Sequence, residues 1–263
     1  MSFGGKRMTT SNEHEPKANS WSPQWVSGMS LRNRLLVVAV IELAYWIATR
    51  ITLRIFNWDS LEAEFLRLAL RSTTALACFW LLRDLIFSRV ARQGEITRFP
   101  TVVSATLFVG AAFAMPHPTL SPAFAILFGI GSIAVALKEE FLFRGVIQNL
   151  LQRRFGFAKS VLLTTIVFTA WHYGAVPNTR WQFVQVFMAS VVVGVIYVRT
   201  GNIWAAVGLH TAYDAVIALP TLVTYKYSVG IAFLMLLGAV YFSCLPAFPA
   251  DDSSLTGSNA KVS

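Results

Sequence analysis

The chain has 263 residues, of which 55% are hydrophobic and only 13% charged, with a mean hydropathy of +0.56 and a formal net charge of +9. Soluble domains of this length carry about 25% charged residues, so the composition excludes a water-soluble globular domain and predicts an all-α polytopic membrane protein. The basic residues fall mostly in short segments between apolar runs, which assigns them to membrane topology and anionic lipid headgroups, with no nucleic-acid partner.

In chain order, residues 1–30 are polar and aperiodic and read as a disordered cytoplasmic tail. No signal peptide is expected, because the first apolar run starts near Leu35 and lacks a small-residue cleavage site. Residues 31–119 hold the N-terminal spans. The first runs from Leu35 to about residue 51 and contains one acid, Glu42, expected to pair with an arginine such as Arg50. Residues 54–72 alternate charge with Ile55, Phe56, Trp58, Leu61 and Phe65, the pattern of an interfacial amphipathic helix leading into a second span over 72–87. A basic loop precedes a third span over 101–115, and a three-proline turn carrying His117, expected to be solvated, closes this part.

Residues 120–246 form the second half. A fourth helix from Pro122 to about residue 152 is too long for one simple crossing. Further spans follow over 159–173, 181–198, 203–219 and 229–245, and residues 247–263 read as a second disordered tail. About eight transmembrane helices result. With the N-terminus inside, the larger share of Lys and Arg lies in cytoplasmic segments. The expected location is a bacterial inner membrane with both termini cytoplasmic. Cys78 and Cys244 lie in separate apolar stretches and read as small buried hydrophobes.

The anomaly is residues 137–145, LKEEFLFRG, which place Lys138, Glu139, Glu140 and Arg144 within an apolar chain. Ionisable groups at membrane depth cost about 2.5–3.5 kcal/mol each on insertion scales and by default mark function. Counted at ~1.5 Å per residue, Glu139 lies roughly 16 Å deep, His172 roughly 20 Å, and His210 and Asp214 roughly 12 and 18 Å. Polar groups from three helices thus share a depth, and buried polar groups need partners. Glu140 and Arg144 are spaced i,i+4 and form the natural ion pair. Glu139, rotated about 100° away, is free to face a different cavity. A desolvated carboxylate suits a general base near neutral pH. His172 could hold the same water, and His210 with Asp214, again i,i+4, could bind a developing oxyanion. Lys138 is expected to snorkel toward the cytoplasmic surface.

These residues also admit a non-catalytic membrane scaffold or bacteriocin-immunity protein, an ion or solute transporter, or a zinc metalloprotease using the same side chains. Transport is less favoured because no inverted repeat is visible. Zinc is less favoured because no HExxH motif occurs, and no cofactor is expected.

The ordered set Glu139, Glu140 and Arg144, then Phe168 and His172, then His210 and Asp214, resembles the CAAX protease and bacteriocin-processing superfamily over roughly residues 120–220. That superfamily includes the type II CAAX prenyl endopeptidases and proteins labelled abortive-infection-like. The resemblance implies an eight-helix intramembrane glutamic endopeptidase acting on a membrane-embedded or lipidated protein or peptide. Glu139 and His172 would activate water, His210 and Asp214 would form the oxyanion site, and Glu140, Arg144 and Phe168 would support them. The eukaryotic prenyl endopeptidases carry Asn where this chain has Asp214.

Overall fold

A computed structural model describes residues 28–88, 98–115, 120–173, 180–219 and 228–245, and every described element is helical. α1 (Leu31–Ile55) and α2 (Leu61–Ile86) open the chain, followed by α3 (Arg98–Ala114). α4 (Pro122–Glu140) passes without a break into a π-helical segment (Phe141–Gln148) and then α5 (Asn149–Phe155). α6 (Phe157–Trp171), α7 (Arg180–Thr200), α8 (Ile203–Ile217) and α9 (Ser228–Cys244) complete the bundle. With residues 122–155 counted as one rod, the described residues form eight helices, as the apolar pattern predicts. α1, α2 and residues 181–200 of α7 are long and apolar enough to cross a membrane. The tails, His117 and the basic loop before α3 lie outside the described residues.

Local sequence explains the boundaries. Ser30, Ser60, Ser121 and Asn202 each accept a hydrogen bond from a backbone N–H of the first turn they precede, satisfying a donor that has no partner within the helix. Pro122 then occupies the first turn of α4, where its missing N–H costs nothing. Gly156, at φ 76°, turns the chain between α5 and α6, a left-handed conformation that glycine adopts without steric penalty.

The rod 122–155 is central. α4 packs between α2 and α8, the π segment lies against α2, α3 packs on α9 and α8, and α7 joins α6, α8 and α9. Large apolar side chains such as Leu36, Val40, Ile47, Ile126, Ile130, Leu234 and Leu237 point outward, while Glu139, Glu140, Arg144, Gln148, Asn149 and Gln152 are buried along the rod. An apolar exterior around a polar seam suits a bilayer, where charged side chains turn inward and find partners.

The close fit of rod and α2 depends on Gly145. A Cβ there would stand 3.1 Å from the Cα of Ile86, and backbone yields less readily than a side chain. Gly145→Ala is expected to lower the melting temperature in detergent. The overpacking cost of about 1–3 kcal/mol exceeds the gain in helix propensity of roughly 1 kcal/mol.

Expectations for the charged stretch 54–72, for Glu42, for Lys138 and for Cys244 change. The charged stretch 54–72 is not a separate interfacial helix, because residues from Leu61 onward belong to one helix and Glu64 is fully buried. Arg67 and Arg71 reach Glu64 at 2.8 and 2.9 Å, so charges that look solvent-facing in sequence satisfy one another inside. Glu42 pairs with Lys138 at 2.7 Å, and Arg50 instead stacks over Trp46 and donates to the carbonyl of Tyr173. Lys138 therefore does not snorkel; it is fully buried. Of the cysteines, Cys78 is buried and Cys244 exposed.

Candidate active site

Three consecutive residues at the end of α4 point to three different neighbours. Successive positions on a helix are rotated by about 100°, and Lys138, Glu139 and Glu140 use that rotation to reach α1, the facing ends of α6 and α8, and Arg144 with α8. Glu140 is fully buried and holds two partners. Its Oε2 lies 3.1 Å from Nε of Arg144, the i,i+4 pair expected from spacing, and its Oε1 lies 2.7 Å from Nδ1 of His210. The second contact crosses between helices and has no signature in the spacing of either motif.

Arg144 sits in the π segment, a rare geometry with i→i+5 hydrogen bonds that is frequent at functional sites. Its Nη2 donates to the carbonyl and the hydroxyl of Ser190 on α7, both at 3.0 Å, and the Ser190 hydroxyl donates in turn to Thr165 on α6. One turn on, Gln148 donates to the carbonyl of Gly194, and Asn149 accepts from the Tyr197 hydroxyl. A polar ladder thus locks the rod to α7. Ser190, Thr165, Gln148 and Tyr197 were not singled out from sequence, since isolated polar residues in apolar helices carry no recognisable spacing.

Phe168 is the apolar pivot. The Arg144 guanidinium carbon lies 4.7 Å from its ring centroid, Phe143 meets it edge-on at 4.9 Å, and the His172 ring lies at 4.4 Å. A cation over an aromatic face and an edge-to-face pair are both favourable arrangements. His172 caps the C-terminal end of α6, with Nδ1 2.8 Å from the carbonyl of Phe168. A carbonyl only accepts, so Nδ1 carries the proton of that bond, and in the neutral tautomer of the ring Nε2 is then left as the acceptor.

That nitrogen faces Glu139. Nε2 of His172 stands 3.6 Å from Oε2 of Glu139, and Nε2 of His210 stands 3.9 Å from the same oxygen. Oε2 is buried and makes no direct hydrogen bond. Nε2 of His210 also lies 3.4 Å from Oδ2 of Asp214, one turn further along α8. Both nitrogens of His210 therefore face carboxylate oxygens, which only accept. Glu139, Glu140, Arg144, Phe168, His172, His210 and Asp214 form one connected cluster, while Lys138, singled out beside them in the sequence, turns away to Glu42 on α1. Among the described residues no group of three or more His, Cys, Asp or Glu side chains is arranged to hold a metal ion.

Comparison with known proteins adds a family. Residues 121–216 match the family model described as type II CAAX prenyl endopeptidase Rce1-like. No curated protein and no solved structure matches the chain. The matched stretch opens at the Ser121 cap of α4 and ends in α8, so it contains the whole cluster. The helical core that carries the cluster is thus similar to the type II CAAX prenyl endopeptidase Rce1-like family, and three of the described helices are long and apolar enough to cross a membrane.

Proposed function

We propose that the chain hydrolyses a peptide bond in a membrane-anchored or lipidated substrate, using water activated by Glu139. One observation carries the reading: Nε2 of His172 and the carboxylate of Glu139 face each other across 3.6 Å, and with the ring neutral both are hydrogen-bond acceptors. Two acceptors at that separation are not bonded to each other, and a water molecule donating one proton to each reconciles them. The lone pairs of a water held this way point away from both, toward an incoming carbonyl carbon.

In the step that follows, Glu139 takes a proton from water as the oxygen bonds to the scissile carbonyl carbon, and the carbonyl π electrons move to its oxygen. Nε2–H of His210 donates to that oxyanion. Glu140 holds the ring from its other nitrogen, and Asp214 holds it beside Nε2. Such fixed donors act where charge develops, and removing one typically costs 10²–10³-fold in rate. Collapse of the intermediate breaks the C–N bond, and Glu139 returns the proton to the departing amine. Asp214 here acts by orienting His210, a role open to a carboxylate that need not itself donate to the oxyanion.

An apolar groove of about 530 Å³, lined by Ile166, Thr169, Ala170, Tyr173, Phe183 and Phe187, lies between α6 and α7. Its chemistry suits an apolar chain such as a lipid anchor or hydrophobic peptide. Cleavage of an internally quenched, S-farnesylated peptide with a C-terminal CAAX tetrapeptide tests the reading. Wild-type protein in detergent is expected to cleave it after exhaustive treatment with EDTA and 1,10-phenanthroline, with the rate within about twofold of untreated enzyme, because no step of general-base catalysis needs a Lewis acid. Activity lost to the chelators and restored by zinc would replace this mechanism with a metal-dependent one.

A further inference from the structure

α1 lies outside the residues that match the family model, yet it sends a carboxylate to the residue beside Glu139. Glu42 and Lys138 meet at 2.7 Å, and the ammonium stands 4.1 Å from the ring centroid of Tyr45 and 5.5 Å from that of Trp171. Lys138 has no solvent exposure and Glu42 has 5%. Stability does not explain such a pair, because an apolar pair of similar volume commonly stabilises a buried position as well or better. The hydrolytic mechanism above uses neither residue.

Geometry supplies an explanation. Lys138 and Glu140 flank Glu139 on α4, and each is tied to another helix: Lys138 to α1 through Glu42, Glu140 to α8 through His210. The rotation of α4 about its own axis is set by these two ties, and with it the direction in which Glu139 leaves the backbone. The same ammonium lies against Trp171, the residue before His172, so it also bears on the end of α6. One buried cation therefore contacts the elements that carry both partners of the 3.6 Å gap.

We propose that the Lys138–Glu42 pair is a positioning device for hydrolysis, giving α1 a role in setting the distance between Glu139 and His172. The inference rests on reading Glu139 as the base. A misplacement of about 1 Å can cost on the order of 10²-fold in rate, while substrate binding elsewhere is untouched. The expected signature is thus a fall in kcat with KM retained.

The test uses the full chain in detergent and the farnesylated, quenched CAAX peptide. Glu42→Leu combined with Lys138→Met leaves no unpaired charge; melting temperature and yield are expected to match wild type, with kcat reduced at least tenfold and KM changed less than about twofold. Glu42→Asp alone shortens the acid by one methylene and is expected to lower kcat several-fold. Adding Lys138→Arg, whose longer side chain spans the lost length, is expected to restore it to within about twofold of wild type. Wild-type kcat in both the apolar pair and Glu42→Asp overturns the proposal, and if the apolar pair does not fold, the Glu42→Asp series decides alone. Glu139→Gln run in parallel separates the two readings. If it cleaves like wild type, the base assignment and this inference fall together. If it is inactive while both the apolar pair and Glu42→Asp keep full kcat, only the positioning role is lost.

Discussion

Glu139→Gln is expected to reduce kcat by about 10²–10⁴-fold, the range that a positioned general base contributes, while leaving the fold intact. The side chain keeps its volume, so packing at the end of α4 is unchanged. The buried Oε2 makes no direct hydrogen bond, so no partner in the protein is stranded when the carboxylate becomes an amide. What disappears is the ability to take a proton from water. The amide would also present its NH₂ or carbonyl to the His172 lone pair, and neither accepts a proton from water near neutral pH. Single-turnover cleavage of the farnesylated peptide, with thermal unfolding in the same detergent, checks both halves. A variant as active as wild type would point away from catalysis by this acid and toward a binding or scaffolding role.

Glu140→Ala is expected to fail differently, losing stability and activity together. Glu140 is the only carboxylate within ion-pair distance of Arg144 among the described residues, and both side chains are buried. Truncating one member of such a pair leaves an uncompensated charge and costs about 3–5 kcal/mol, although the hydrogen bonds from Arg144 to Ser190 offset part of it. The same truncation frees Nδ1 of His210 from its 2.7 Å partner. Thermal unfolding and expression yield measure the first effect. The apolar replacement Glu140→Leu with Arg144→Met isolates the second: it should recover yield and melting temperature but not cleavage, since His210 still lacks its anchor. Recovery of cleavage along with yield would reduce Glu140 to a purely structural part.

Glu139 and Glu140 thus separate sharply although they are adjacent in sequence. Glu140 is held by a guanidinium at 3.1 Å and an imidazole at 2.7 Å, whereas Oε2 of Glu139 has only imidazole nitrogens, at 3.6 and 3.9 Å. The π segment helps to make this difference, because it starts immediately after Glu140 and carries Arg144 toward α7. Chemistry at a membrane-buried site needs this division: a reactive group must be left incompletely satisfied, and rigid neighbours must be satisfied enough to hold it there.

Much of this architecture was determined by the sequence alone. Apolar runs of sufficient length dictate helices in a bilayer, since backbone groups there have to bond within their own segment; this sets the eight rods, among them the long fourth one, expected from Pro122 to about residue 152 and running to Phe155 in the structure. Charges inside those runs are costly enough to identify Glu139, Glu140, Arg144, His172, His210 and Asp214 as a group, and i,i+4 spacing pairs Glu140 with Arg144 and His210 with Asp214. Tertiary structure alone decided what crosses between helices. Spacing along a helix reports which side chains share its face but nothing about which helix that face meets. Sequence proximity therefore pairs Glu42 with Arg50, whereas its partner in the structure is Lys138, on α4. The charges over 54–72 read as interfacial for the same reason, since Glu64 with Arg67 and Arg71 looks equally amphipathic whether the face meets water or protein. The link from Glu140 to His210, and the gap between Glu139 and His172, depend on how α4, α6 and α8 pack, and only that packing turns a list of buried acids and imidazoles into a site with directions.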